Sequence, residues 1–275
     1  MIGGEKTISK ELIIQTKKSI AFMGEFIQNK MRPYASGFFI SVQGLTYLVT
    51  AKHVIYDNNS NSLKDGNLNV FTVSKIENTI YREPLSRIKT NFNVDWIFHE
   101  NKEVDLAIIP FASDPGKTDV LRIPQNLFVK IDQLFELDEV FFISYQPGIK
   151  FNNIFNPIIR NGIISIINKD KTFYIDGFAF PGNSGSPVFF KPKGFSLTEK
   201  GMKIGGHPLN GKFIGIIGGY LTYSDIAVSV QTGRPRIRFE ENTGLSIVWS
   251  IDYLIEIIES TNFKNQLQNL KERLK

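Results

Sequence analysis

The chain has 275 residues, 42% of them hydrophobic, a net charge of +5 and no cysteine. That length suits one compact unit with a sizeable core plus terminal additions. The absence of cysteine excludes thiol catalysis and Cys-ligated zinc, rules out disulfides as a source of stability, and permits a reducing compartment. The three histidines are scattered and show no H-E-x-x-H pattern, so no metal and no cofactor is expected. The start, Met1-Ile2-Gly3-Gly4-Glu5-Lys6, has neither the basic segment nor the long apolar core of a signal peptide. Ile20-Ala21-Phe22-Met23 is too short to cross a bilayer. The expectation is therefore a cytoplasmic protein with no membrane partner.

In chain order, residues 7–30 read as a helix capped by Thr7 or Ser9 and ended by Pro33, with Leu12, Ile13, Ile20, Met23 and Ile27 near one face. Its plain role is to pack on the domain, and its alternative is to dock a partner. Gly37–Val42 and Thr46–Thr50 flank Gln43-Gly44-Leu45 and read as a hairpin whose second strand ends just before His53. Residues 57–68 are rich in Asn, Ser and Gly and form a loop. Strand patterns continue at Val70–Val73, Ile80-Tyr81 and up to Pro110, and a linker with Pro115, Gly116 and Pro124 follows.

Glu139–Tyr145 is a strand, and Gly162–Ile167 with Thr172–Ile175 makes another hairpin. Residues 191–211 read as an inserted loop. Phe213–Ile217 and Gly244–Trp249 return to the core. Ser250 is placed to cap a helix carrying Ile251, Leu254, Ile255 and Ile258 on one face. Phe263, Leu267, Leu270 and Leu274 continue at 4-3-4 spacing, as a packed tail or a short oligomerisation surface. Basic clusters at Lys191-Pro192-Lys193, at Arg234-Pro235-Arg236-Ile237-Arg238 and over 264–275 read as solvated surface in preference to a nucleic-acid patch.

Chemistry concentrates in three places. Ser184 stands in Pro181-Gly182-Asn183-Ser184-Gly185-Ser186-Pro187, His53 in Thr50-Ala51-Lys52-His53, and Asp105 in Asp105-Leu106-Ala107-Ile108. A serine hydroxyl needs a base to take its proton and a third group to hold that base in the right tautomer, and His53 and Asp105 supply both types. Gly182 permits the backbone angles that turn its N–H toward a substrate carbonyl, so that the N–H groups of Gly182 and Ser184 form an oxyanion hole. Asp95 competes for the acid role, but only Asp105 leads directly into an apolar strand-like run. His99 and His207 read as surface or loop residues.

These motifs resemble the T-A-x-H, D-[IL]-A-[ILV] and G-[DN]-S-G-[GS]-P signatures of trypsin/chymotrypsin-fold serine proteases, in particular the bacterial trypsin-like peptidases without disulfides. They lie in the family's chain order, 52 and 79 residues apart. The resemblance covers roughly 31–258 and implies a mostly β fold: two six-stranded antiparallel barrels, at about 31–120 and 126–250, with a closing helix at about 251–258. Residues 1–30 and 259–275 become helical additions.

The resemblance further implies a serine endopeptidase acting on protein or peptide substrates through an acyl-enzyme. Phe213–Tyr220 resembles the strand that binds substrate backbone. Phe178, Gly218, Gly219 and Tyr220 fall at the primary pocket, with Phe178 at its floor, pointing to small or apolar residues before the cut. Asn183 stands where animal enzymes carry the acid that pairs with a newly cut N-terminus, so cleavage-dependent activation is not expected, and trimming of residues 1–30 is expected to be unnecessary for activity. Restraint of such an enzyme would fall to a regulatory protein partner, to the N-terminal helix or to a pocket formed on binding. The rival from another class is a catalytically silent binding module on the same scaffold. An α/β-hydrolase esterase is excluded, because Ser186 breaks G-x-S-x-G and the chain order is wrong.

Overall fold

The computed structural model describes residues 3–76, 79–149, 155–193, 195–198, 201–204 and 207–274, with backbone alone at 3–9, 195–198 and 201–204. Helix α1 (Gly3–Lys17) comes first. Two strands follow: β1 (Ile20–Ile27) and β2 (Lys30–Val42). This corrects the expected helix over 7–30. The run Ile20-Ala21-Phe22-Met23 is buried on both faces, and β1 lies between β2 and β4 (Asn69–Val73), its main chain paired on both sides. A fully enclosed strand has no polar face, so its apolar residues mimic a helical spacing. The cap side chains named from sequence, Thr7 and Ser9, lie outside the described residues. The helix itself packs on the chain's own second half: Lys17 Nζ donates to Asn156 Oδ1 at 2.9 Å, and Leu12 sits against Gly211.

The main sheet of the first half also contains β3 (Leu45–Thr50), β5 (Ile80–Pro84), β6 (Ile97–Phe98) and β7 (Ala107–Pro110), while Tyr56–Asp57 and Ser62–Leu63 pair as a separate small hairpin. The main sheet is eight-stranded, in the order β5-β4-β1-β2-β3-β7-β6, with Ile123-Pro124 added parallel to β2. The expected first barrel does not close among the described residues. The edge strand β6 is two residues long, and α3 (Leu85–Phe92) carries the chain from one edge toward the other, so β5 and β6 do not pair. The β2–β3 hairpin turns on Gln43 and Gly44, both with positive φ, the two-residue geometry that suits strand twist.

The second half is a closed six-stranded barrel of β8 (Glu139–Ser144), β9 (Ile158–Ile167), β10 (Thr172–Asp176), β11 (Pro187–Phe190), β12 (Phe213–Val228) and β13 (Pro235–Ser250). Within 191–211, read as loop from sequence, Phe195–Thr198 pairs with Gly201–Ile204 as a small hairpin. Helices α4 (Ile251–Glu259) and α5 (Thr261–Arg273) close the chain. Ser250 occupies the N-cap position of α4 without a side-chain capping bond. In α5, Phe263, Leu267 and Leu270 are buried against the chain's own core, and Tyr47 stacks on Phe263 with centroids 4.8 Å apart.

Each half has its own interior, and a third cluster joins them. Phe38 of the sheet meets Phe213 of the barrel edge-on at 5.1 Å, with Ile251, Leu254 and Phe263 packed around the pair. This shared core fixes the two halves so that loops from both meet in one cleft.

Candidate active site

His53 is the second residue of α2 (Lys52–Ile55), the single turn that follows β3. Asp105 precedes β7, the neighbour of β3, and is flanked by the fully buried Val104 and Leu106. Adjacent strands therefore deliver the two residues side by side. Asp105 Oδ2 lies 2.6 Å from His53 Nδ1, and its Oδ1 accepts the His53 backbone N–H at 2.8 Å. The Asp105 carbonyl also accepts the Lys52 N–H at 3.1 Å. An ionised carboxylate only accepts, so a neutral imidazole bonded to it carries its proton on Nδ1 and keeps the lone pair on Nε2. Asp95, the competing acid, is held elsewhere: its carboxylate pairs with Lys89 at 2.9 Å. His99 lies in the loop after β6. Its Nε2 is 2.8 Å from Glu256 Oε2 and its side chain is largely enclosed. His207 stacks on Phe190.

Ser184 comes from the loop between β10 and β11. Phe180-Pro181-Gly182-Asn183 closes with a 2.9 Å bond from Asn183 N–H to the Phe180 carbonyl, and Gly182 has φ +99°. Proline second and a positive-φ glycine third define a type II turn. A Cβ at Gly182 would also meet Tyr145 and Pro147 at 2.9–3.0 Å. Gly185, φ +82°, is required by contact: a Cβ there would stand 2.2 Å from the Ser36 carbonyl and 2.4 Å from Thr50 Oγ1. Among the described residues, neither the Gly182 nor the Ser184 N–H has a protein acceptor, so both remain available for a substrate oxygen. Ser184 Oγ lies 3.4 Å from the Gly218 carbonyl on β12, and no hydrogen bond joins it to His53. In the absence of substrate, catalytic hydrogen bonds are often loose in this way.

Two buried polar residues hold this loop. Asn183 is fully enclosed. Its Oδ1 accepts the Phe180 N–H at 2.9 Å, and its Nδ2 donates to the Tyr145 carbonyl at 2.6 Å and to Ser144 Oγ at 3.1 Å. Ser36, on β2 of the other half, escaped the sequence analysis. Its Oγ donates to the Gly182 carbonyl and accepts the Tyr145 N–H, both at 2.8 Å, while its own N–H donates to the Ser184 carbonyl at 3.0 Å. Thr50 Oγ1, at the end of the strand that leads to His53, donates to the Ser36 carbonyl at 2.8 Å. The one signal in the sequence was a polar residue among the small ones, Ala35-Ser36-Gly37, at the head of an apolar run.

Residues 35–194 match the family described as the trypsin-like peptidase domain. The chain belongs to that family. A search of curated proteins finds no match. Among solved structures, the fold is similar to the serine endoprotease from Yersinia pestis, with a TM-score of 0.50, 15% identity, and coverage of 91% of this chain and 65% of that one. It is likewise similar to a variant of the HtrA-type protease AlgW with a decapeptide, at TM-score 0.50, 12% identity, and coverage of 92% and 66%. The chain thus spans just under two thirds of these neighbours, and at such identities the likeness concerns the trypsin-like fold.

The predicted pocket residues are only partly as expected. Gly218, Gly219 and Tyr220 lie on β12 immediately beside Ser184, with Gly219 and Tyr220 paired to Ile247 and Ser246. Phe178 is half exposed and stacks near Phe180 and Gly244, at a rim and not at an enclosed floor. A cavity of about 370 Å³ under α5, lined in part by Leu45, Phe111 and Leu270, lies at the ends of β3 and β7 remote from His53 and Asp105 and holds none of these residues. Among the described residues there is no group of acidic, His or Cys side chains able to hold a metal, and no helix long and apolar enough to cross a membrane.

Proposed function

We propose that the chain is a serine endopeptidase in which Ser184 is the nucleophile, His53 the general base and Asp105 the group that orients it. The observation that carries this reading is the pair of hydrogen bonds between His53 and Asp105, through ring and backbone, opposite a nucleophile loop whose Gly182 and Ser184 N–H groups have no acceptor among the described residues. Ser184 Oγ attacks the scissile carbonyl while its proton passes to His53 Nε2. The carbonyl oxygen, now negative, is received by the two N–H groups, an effect of about 3–4 kcal/mol per donor. The C–N bond then breaks, the His53 proton goes to the departing amine, and water repeats the sequence to free the acyl group.

The side chains around Ser184 support a preference for small or apolar residues before the cut: no carboxylate is among Phe178, Gly218, Gly219 and Tyr220. Asn183 supports activity without N-terminal processing, because three local hydrogen bonds already hold the turn. Digestion of a peptide library by the intact chain, read by mass spectrometry, tests both points. Cleavage after Ala, Val or Leu that is lost in Ser184→Ala is expected; cleavage dominated by Arg or Lys would overturn the specificity.

The second reading is a silent binding module. It is favoured by one observation, that Ser184 Oγ is directed to the Gly218 carbonyl and not to His53. The same library separates the two readings, since the silent module yields no cleavage with Ser184 intact.

A further inference from the structure

β12 and β13 are 16 residues each, far longer than the barrel needs. Strand β11 pairs with β12 only over Phe213–Ile216, and the nucleophile loop takes both main-chain groups of Ile217. From Gly218 to Val228, one edge of β12 has no strand beside it among the described residues, while its other edge is paired with β13 out to Val228↔Pro235. The result is a two-stranded ribbon standing clear of the barrel. Thr222–Val228 and 231–240 are exposed throughout, including Tyr223, Ile226, Ile237 and Phe239.

An open edge of this length with exposed apolar side chains is an aggregation hazard unless it has an occupant. The edge begins at Gly218, whose carbonyl is 3.4 Å from Ser184 Oγ, so whatever pairs with it leads straight to the candidate nucleophile. We infer that the ribbon beyond Tyr220 prolongs the substrate-backbone strand that the resemblance gives to Phe213–Tyr220, so that the substrate segment farther upstream of the scissile bond lies along Leu221–Val228 as an added antiparallel strand. The inference rests on the peptidase reading above. That segment is the acyl part, which stays bonded to Ser184 through both half-reactions, so contacts to it act in both steps.

The eleven residues from Gly218 to Val228 span about 34 Å of strand. Main-chain bonds to the edge give affinity, and alternate side chains give selectivity. Ile226 and Arg238 share one face of the ribbon, and Asp225, Phe239 and Ile237 the other. Arg238 is engaged with Glu240 at 3.1 Å and with Ser224. Arg234 and Arg236, near the tip, have no ion pair among the described residues. The occupant is therefore an unfolded or extended polypeptide with apolar residues at alternate positions and acidic residues toward its N-terminal end.

The test is a ladder of fluorogenic peptides sharing one scissile sequence and extended upstream from three to twelve residues. kcat/KM is expected to keep rising beyond four upstream residues, by about tenfold in all, with acidic residues at the far end outperforming lysines. In a chain whose residues 222–242 are replaced by a short turn, the ladder is expected to plateau at the short peptides, with cleavage of the shortest peptide and fluorophosphonate labelling of Ser184 unchanged.

Equal kcat/KM along the ladder in the intact chain overturns the inference and leaves the peptidase reading standing. If no peptide is cleaved and Ser184 does not label, the peptidase reading fails instead, and the inference fails with it. Should shortening the ribbon unfold the chain, binding of the twelve-residue peptide to Ser184→Ala, compared with a peptide N-methylated at alternate upstream residues, reads the same edge: weaker binding of the methylated peptide supports the inference and equal binding overturns it. A chain that is dimeric with the ribbon and monomeric without it shows the edge to be covered by a second copy, and also overturns it.

Discussion

Replacing Ser36 by alanine is the most informative perturbation outside the three candidate catalytic residues. Ser36 Oγ is fully buried, donates to the Gly182 carbonyl and accepts the Tyr145 N–H, both at 2.8 Å. Ser36→Ala removes both bonds and leaves the Ser36 backbone bond to the Ser184 carbonyl in place. Two buried hydrogen bonds at about 1 kcal/mol each set a stability loss of about 2 kcal/mol. In a domain of this size that lowers Tm by about 4–8 °C.

Activity should fall separately from stability. Freed from Ser36, the Gly182–Asn183 peptide between the two oxyanion N–H groups is no longer fixed from the opposite half, and a partial loss of the oxyanion contact through its reorientation corresponds to about 1.4 kcal/mol, or tenfold in kcat. That is less than deletion of an oxyanion donor, at about 10²–10³-fold. KM should change little, because the substrate strand on β12 is untouched. The assay is steady-state hydrolysis of one peptide well below the variant's Tm, with thermal unfolding measured in parallel. A variant that loses stability but keeps full kcat would refute a positioning role for Ser36, and unchanged Tm would refute the hydrogen-bond assignment itself.

Asp105→Asn can still accept the backbone N–H, but it favours the wrong His53 tautomer, and kcat should fall by about 10³–10⁴-fold with the fold intact by circular dichroism. Asn183→Asp removes the Nδ2 donor to the Tyr145 carbonyl and sets a buried charge against that oxygen; a stability loss of about 3 kcal/mol or more is expected by denaturant titration. Burial opposes the charge on Glu256, but hydrogen bonds from Lys171 and His99 outweigh it and hold the carboxyl below its ordinary range. A lowered folded-state pKa contributes stability above the unfolded value that is lost as pH falls through the folded one. The Tm of Glu256→Gln should therefore lie below that of the natural chain at pH 7, with the gap closing as the pH falls below the ordinary carboxylate range.

The candidate site was legible in the sequence because its parts are local. A positive-φ turn needs Pro181-Gly182, tight contact with Ser36 and Thr50 needs Gly185, and the strand leading to His53 needs an apolar run. Ser36 was not legible, since its importance lies in a partner 146 residues away. Strand β1 was misread because burial on both faces removes the alternation that separates strand from helix. Trimming of residues 1–30, expected from sequence to be unnecessary for activity, would take away β1, which is paired on both sides. The resemblance places Phe178 at the pocket floor, and its side chain is half exposed beside Phe180.

The central claim is that Ser184 is an activated nucleophile in the intact chain. Mass spectrometry after incubation with a fluorophosphonate tests it directly. The account predicts a single adduct on Ser184, formed without N-terminal processing, absent in Ser184→Ala and strongly slowed in His53→Ala. A folded, intact chain that acquires no adduct on Ser184 would contradict it.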